Sequence, residues 1–405
     1  MRKHLMAWLL PCLCGLAPMA QAETNGVEST ETLRQLKEQV ELLQNQVDRM
    51  DGTIHKQQET HAIPPSTAPA TAENSGNPAI SVIGTFAGDF VQGGQAANGG
   101  KMRSRQFLPL SEAEFRFGAD VDPHTRLDIT VTGNAAGLAV EEGFLTARLP
   151  AGFNLRAGRS FLPIGCSNPV HPHALIYSDI PNGLVNLFGA GKFSGDGILL
   201  DRPLFIGQSV QTFTAGLFQT GNTVAFDPTG TNRFAALGHW TGLWELGSQK
   251  TVELGATYVN GRNGTIGNGR TDILGGHLAL KAIHSDRSGW TLEGEWNRSR
   301  RDIAAGRRIV TDGAYLLGIY DIDRNWHLFT RYDLSKQTAQ PDEQAYSGGM
   351  AWKISEFQSL TLQYKHVRHA LPEVAANLGL ASGQSANEVL FRWVVAIGPH
   401  GAHPY

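Results

Sequence analysis

Two histidines that bracket one residue, His171-Pro172-His173, are the side chains of this sequence best placed to do chemistry. In an extended segment such a pair converges on a borderline metal ion such as zinc. A second pair, His400 and His403, stands in the Gly- and Pro-rich tail. Two donors alone make a weak site, and solvated or hydrogen-bonding histidines account for both pairs more simply. Glu293 and Glu295 share one face of an alternating segment, as a glycosidase pair would. No GxSxG, HExxH or phosphate-loop pattern accompanies them. Asp196, within Ser194-Gly195-Asp196-Gly197, is calcium-like only in isolation. The remaining conspicuous groups are basic: Lys101, Arg103 and Arg105 cluster together, Arg159 and Lys192 flank a long Pro- and Gly-containing stretch, and Arg116 and Arg331 sit within alternating segments. No enzyme and no cofactor is implied.

The elements that must position these residues have period two. Trp290, Leu292 and Trp296 alternate with Thr291, Glu293, Glu295 and Asn297, and Val389, Phe391, Trp393, Val395 and Ile397 follow the same rule. Period two makes one face of each segment apolar and the other polar. Soluble sandwich strands run to about five or six residues, whereas a strand tilted across a bilayer needs about 9–11. The segments here have the greater length, which points to an all-β, transmembrane antiparallel barrel with lipid outside and a polar lumen inside. Strands are expected to start near Ala79, Leu110, His124, Leu138, Gly152, Gly195, Gln208, Thr231, Gln249, Thr271, Ser288, Thr311, Asn325, Gln344, Phe357 and Ala386, about sixteen in all. Connections such as Asp122-Pro123, Asp201 to Ile206, Asp323-Arg324 and Ser355-Glu356 are short. Those holding Gly93 to Arg105, Asn134 to Gly137, Ser160 to Ser194, Asn222 to Gly230, Arg262 to Arg270, Arg300 to Ile309, Lys336 to Glu343 and Ala370 to Ser385 are mostly longer. Short turns facing the periplasm and long loops facing outward place both chain ends in the periplasm. A plugged receptor barrel of about 22 strands is excluded by length.

The segments before the barrel fit that location. Arg2 and Lys3, an apolar run from Leu5 to Leu16, and Ala20-Gln21-Ala22 form a secretory signal peptide over residues 1–22. Its removal leaves Cys166 as the one cysteine, so no intramolecular disulfide forms. The formal charge of −3 gives no argument for nucleic acid as a partner. Between residues 31 and 59 the period changes: Leu33, Leu36, Val40, Leu43, Val47, Met50 and Ile54 recur at alternating steps of three and four. That is a coiled-coil seam, and its β-branched a positions with Leu at d favour a dimer. Residues 60–78, rich in Pro, Ala, Ser and Thr, form a flexible linker, and residues 79–405 form the barrel.

Connections as long as Phe161 to Ser194 are usually functional. Folded into the lumen, this one would narrow it. The stretch Gly158-Arg159-Ser160-Phe161-Leu162-Pro163-Ile164-Gly165 opens the loop and resembles the corresponding segment of the phosphate-selective porins of the O/P type. The coiled coil before the barrel and the strand number agree with that resemblance. It implies a homotrimeric channel in the outer membrane of a Gram-negative bacterium, its coiled coil in the periplasm, passing small hydrophilic solutes or ions with a preference for anions. The trimer it implies replaces the dimer that the heptad rules favour. The expected constriction and selectivity residues are Arg103, Arg105, Arg116, Arg159, Lys192, Glu293, Glu295 and Arg331, with His171 and His173 as candidate metal ligands. The strand faces mix acids with bases, which weighs against a purely phosphate-selective lumen. The rival reading is an outer-membrane binding protein or receptor that captures metal on its histidine-containing loop.

The heptad seam generates a test of its own. A peptide covering Thr32 to Glu59 should self-associate in analytical ultracentrifugation. Val40→Asp with Leu43→Asp should render it monomeric, because unpaired charge is costly to bury. A peptide already monomeric at high concentration refutes the coiled coil.

Overall fold

Strands can cross hydrocarbon only when every backbone N–H and C=O finds a partner within the sheet, so the sheet has to close on itself. The computed structural model describes residues 78–93, 101–226, 234–264, 269–284, 288–303 and 306–398. The signal peptide, the coiled coil, all of the linker before Pro78, and His400 and His403 lie outside the described residues. No described helix is long and apolar enough to cross a membrane.

Seventeen strand segments are described: β1 (Ala79–Gly93), β2 (Arg103–Gln106), β3 (Leu110–Asp122), β4 (Thr125–Asn134), β5 (Gly137–Arg148), β6 (Asn154–Phe161), β7 (Ser194–Ile206), β8 (Ser209–Gln219), β9 (Ala235–Glu245), β10 (Lys250–Arg262), β11 (Arg270–Ile283), β12 (Gly289–Asp302), β13 (Arg308–Asp321), β14 (Trp326–Gln337), β15 (Glu343–Ser355), β16 (Gln358–Arg368) and β17 (Ala386–Ile397). They fill sixteen positions in the wall, because β2 and β3 pair with successive stretches of β1. Leu108, at φ 52°, and Pro109, which has no N–H to donate, separate the two. The barrel closes where β1 meets β17, antiparallel from Val82 opposite Ile397 to Gly93 opposite Ala386. The protein is an all-β antiparallel barrel of sixteen strands, the number read from the sequence.

The register assigns each residue a side. Leu254, Leu274, Trp296, Leu316, Leu328, Met350 and Leu362 lie exposed on the outer face, as lipid contact requires. Glu253, His277, Glu295, Tyr315, Arg331, Asp333, Lys365, Glu388 and Arg392 follow one another around the inner face. Near the short-turn end the outer face carries Trp290, Tyr320, Trp326 and Trp352, with the last two stacked 5.2 Å apart. Such aromatics suit the membrane–water boundary. The short turns are closed by side chains: Asp122 accepts from the N–H groups of His124 and Thr125 at 2.8 Å, and Asp323 does the same for Asn325 and Trp326.

Two connections differ from expectation. Asp201 to Ile206 continues β7, with Pro203 opposite Thr212, and the turn falls at Gly207. A proline gives no donor, but its fixed φ tolerates extended chain, so the ladder runs past it. The link from β4 to β5 is a tight turn in which Asn134 Oδ1 accepts from the N–H of Ala136 at 2.8 Å. The link from β16 to β17 holds a short helix, α2 (Pro372–Leu378), which turns Val374, Ala375 and Leu378 into an apolar cluster with Val91, Val185 and Val367.

A wall with no free strand edge should resist detergent until heated. Unheated protein in SDS should migrate apart from the boiled sample in a gel, and coincident mobilities would contradict closure.

Candidate functional site

The loop from Phe161 to Ser194 leaves the wall and folds into the lumen. Its neck is tied by one side chain: Asn168 Nδ2 donates to the carbonyls of Leu162 (2.8 Å) and Phe193 (2.9 Å), while its Oδ1 accepts from the N–H of Phe193 at 2.7 Å. Lys192 Nζ donates to the carbonyl of Ser167 at 2.6 Å, and burial lowers its pKa to about 8. Beyond the neck the loop meets the opposite wall, where Glu295 Oε2 on β12 accepts from the N–H groups of Cys166 (3.0 Å) and Ser167 (3.4 Å). The helix α1 (Asn182–Phe188) is buried along its whole length. It approaches β13 closely enough that a Cβ on Gly313 would lie 2.1 Å from the carbonyl oxygen of Gly183. Leu184, Leu187 and Phe188 join wall residues Leu237, Val259, Ile273 and Leu317 in one apolar cluster. The inward position of the loop therefore rests on burial as well as on polar contacts.

Asp179, the one acid of this loop, is its principal anchor. It accepts from Arg331 Nη2 at 2.9 Å, from Lys365 Nζ at 2.8 Å and from Gln363 Nε2 at 2.7 Å. Burial would raise its pKa, but Arg331 and then Lys365 overcome that and hold it below the ordinary carboxylate range. Arg331 also donates to Asp333 and lies 4.7 Å over the Tyr177 ring, and Lys365 pairs with Glu388 at 2.6 Å. Arg392 donates to the carbonyls of Pro172 (2.6 Å) and Leu175. Each lumenal cation named here thus has an anionic or carbonyl partner.

Where the loop passes β3 and β5, its histidines meet carboxylates. Glu114 Oε2 lies 3.2 Å from Nδ1 of both His171 and His173, Glu141 Oε2 lies 3.5 Å from His171 Nδ1, and Glu142 Oε2 lies 3.0 Å from His171 Nε2. Burial disfavours charge on His171, but hydrogen bonds to Glu114, Glu141 and Glu142 outweigh it and raise its pKa to about 11. The lumen is open on either side of this crossing. A cavity of about 360 Å³ borders Pro163, Pro169 and His171 together with Arg116, Asp128 and Arg156. Another, of about 290 Å³, borders Pro172, Leu175 and Asp179 together with Arg105, Lys365 and Arg392.

The residues singled out from the sequence are not gathered into one ring. Arg103 and Arg105 bind the C-terminal end of α2, through the carbonyls of Leu378 (3.1 Å) and Asn377, and Arg105 also pairs with Asp89 at 2.5 Å. Cations suit that end of a helix. Arg116 faces the lumen beside Asp128, 3.3 Å away. Glu293 and Glu295 both receive the Tyr315 hydroxyl, and Glu295 is occupied by the loop backbone, so neither lies free in the passage. Arg331 is enclosed by its two aspartates. Lys192 serves the loop neck. Arg159 is corrected outright: it stands opposite Asp196 on the same face as Leu155 and Ala157, outside the barrel. Residues three apart in a strand point to opposite sides, so it is Arg156 that enters the lumen. Sequence reasoning missed Asp179, Glu142 and Glu388. Asp179 carried a signal, as a lone acid in the apolar run Ile176 to Ile180.

Comparison with known proteins places the architecture. No family model matches the chain. An uncharacterized protein of Aquifex aeolicus is 22% identical over 349 residues, covering 76% of this chain and 72% of that one. Among solved structures, the anion-selective porin from Comamonas acidovorans superposes with TM-score 0.54 at 14% identity, over 79% of this chain and 100% of the other. OmpF of Salmonella typhi, in complex with daunomycin, gives 0.53 at 11% identity, over 80% and 99%. The trimer form of OmpT from Vibrio cholerae gives 0.50 at 11%, over 79% and 100%. At these identities the likeness establishes a porin-type barrel fold.

The anchor yields a prediction. Asp179→Asn keeps the side chain's shape but leaves Arg331 and Lys365 one anion short, a loss on the order of 3–5 kcal/mol for a broken buried pair. The wall should stay heat-modifiable, while protease should cut within residues 161–194 of the folded protein faster than in the parent. Cleavage at the parental rate would show that Asp179 does not hold the loop.

Proposed function

We propose that this protein is a non-enzymatic, porin-like channel of the Gram-negative outer membrane, admitting small hydrophilic solutes or ions by passive diffusion. The observation that carries this reading is the polar lumen of a closed sixteen-strand barrel, narrowed by a loop anchored within it and open as cavities on both sides. The fold shared with the Comamonas and Salmonella porins supports it. The OmpT trimer form supports a homotrimer, and the coiled coil expected at residues 31–59 would add a periplasmic tether to it.

Selectivity is proposed to be mild. The O/P-type resemblance implies an anion path formed by a ladder of cations. Here Arg116, Arg331 and Lys365 are each matched by a carboxylate within 3.3 Å, and Arg159 faces outward. Local compensation lowers the net field along the passage, and pore width together with net field sets preference. The binding-protein reading keeps one observation in its favour, the convergence of His171 and His173 on Glu114.

Planar-bilayer recordings test the channel. The parent should give steps of defined conductance, and reversal potentials in a salt gradient should show only weak ion preference. Deleting Asn168 to Ala190 should raise the step size and admit larger solutes. Equal conductance in the parent and the deletion variant would reject the constriction.

A further inference from the structure

The crossing of the loop over β3 and β5 is built differently from the rest of the lumen. Elsewhere a carboxylate from the loop meets cations of the wall; here imidazoles from the loop meet several carboxylates of the wall. We propose that Glu114, His171 and His173 bind a divalent transition metal of the zinc class, joining the loop to the barrel wall.

Geometry is the first support. One donor atom from each of Glu114, His171 and His173 lies within 4.8 Å of the other two. The Nδ1 atoms of His171 and His173 each stand 3.2 Å from Glu114 Oε2. A tetrahedral ion with bonds of about 2.0–2.1 Å sets its donors about 3.3 Å apart, so these two edges already have the required length. Two imidazoles and a carboxylate form a zinc-type donor set with a fourth position left over. Glu141 Oε2, 3.5 Å from His171 Nδ1, is a further carboxylate at the crossing.

The second support is an outer carboxylate. An imidazole that binds metal through one nitrogen almost always donates its other N–H to a carboxylate or carbonyl, which fixes tautomer and ring orientation. Glu142 Oε2 lies 3.0 Å from His171 Nε2 and leaves Nδ1 directed at Glu114. This arrangement depends on an irregularity of the wall. The pairing of β4 with β5 shifts between Thr130 opposite Glu142 and Val131 opposite Val140, which makes Glu141 the extra residue of a β-bulge. Regular alternation would send one of two consecutive glutamates into lipid. The bulge turns both toward His171, and bulges are used in just this way to re-aim side chains beside functional sites.

The third support is placement. Glu114 and His173 are buried, and they sit on two backbones, a wall strand and the loop, held by independent contacts. Glu114 is fixed in the register of β3 between Ile83 and Thr132. The loop is fixed beside His173 by Arg392, which holds the carbonyls of Pro172 and Leu175. A bound ion would therefore meet a largely preformed site. The site stands on this geometry alone and does not depend on the channel reading.

The test is metal binding to the full, folded, tag-free chain in detergent after chelator treatment. A second cluster, Cys166, Glu253 and His277, also brings possible ligands together, so Cys166→Ser is the reference protein. Titration with zinc should show one equivalent per chain, and cobalt should give the strong visible absorption of a tetrahedral ion. His171→Ala with His173→Ala should abolish the tight equivalent, as should Glu114→Gln. Glu142→Gln should keep the stoichiometry and weaken affinity by about 10–100-fold, as loss of an outer partner does. Each variant is first checked for heat-modifiable migration. Should the double variant fail that check, the two glutamine variants, which keep size and shape, decide the matter. Zinc binding that is equally tight in the reference and in Glu114→Gln overturns the proposal, and so does a reference protein that takes up no stoichiometric metal.

Discussion

Hydrocarbon offers no hydrogen-bond partner to a backbone, and each unmatched N–H or C=O left there costs several kcal/mol. That requirement explains why β1 must find β17, why every described neighbour pair is antiparallel, and why the strands are long. It also explains the alternation, because a closed wall one residue thick must show lipid on one side and water on the other. The break between β2 and β3 at Leu108 and Pro109 is bridged, since the N–H of Ala87 in β1 donates to the carbonyl of Pro109 at 3.3 Å.

Once closed, a barrel of this size leaves more interior than its own side chains can fill. The loop from Phe161 to Ser194 occupies much of that space by two means. Its helix presents Leu184, Leu187 and Phe188 to the apolar inner residues of β9 to β13, and its single acid enters a group of wall cations. The apolar part supplies affinity for the wall without direction. The ionic part supplies direction, because desolvated charges tolerate only well-paired geometries. Asp179 unites Arg331 of β14 with Lys365 of β16, and those two cations hold Asp333 and Glu388 in turn. The loop is thus part of the wall's electrostatics, and its position cannot shift without leaving charges unmatched.

The opposite crossing follows the same rule with the signs exchanged. Glu114, Glu141 and Glu142 are wall anions close to one another, and like charges at that spacing in a confined lumen need a cation between them. Protonated imidazole meets the need in part, and a divalent ion would meet it more fully. On either side of the histidine crossing the lumen keeps a cavity, with charged side chains of both signs along it.

The sequence by itself determined the barrel. Period-two patterning over spans near ten residues leaves few alternatives, since side-chain direction in a strand is fixed by parity alone. Strand starts read this way fall close to those observed, Ala79, Leu110 and Ala386 among them. The long loop was legible from its prolines and length. Even the outward turn of Arg159 was within reach, because it shares parity with Leu155 and Ala157 and not with Arg156. Only the tertiary structure decided which charges meet. Asp179 and Lys365 lie 186 residues apart, and nothing local relates them until the wall has closed and the loop has entered it. The bulge that turns both Glu141 and Glu142 inward is equally invisible in the pattern, because it is a property of the pairing between two strands. Alternation fixes which side a residue faces, but contact across a lumen depends on register summed around the whole barrel.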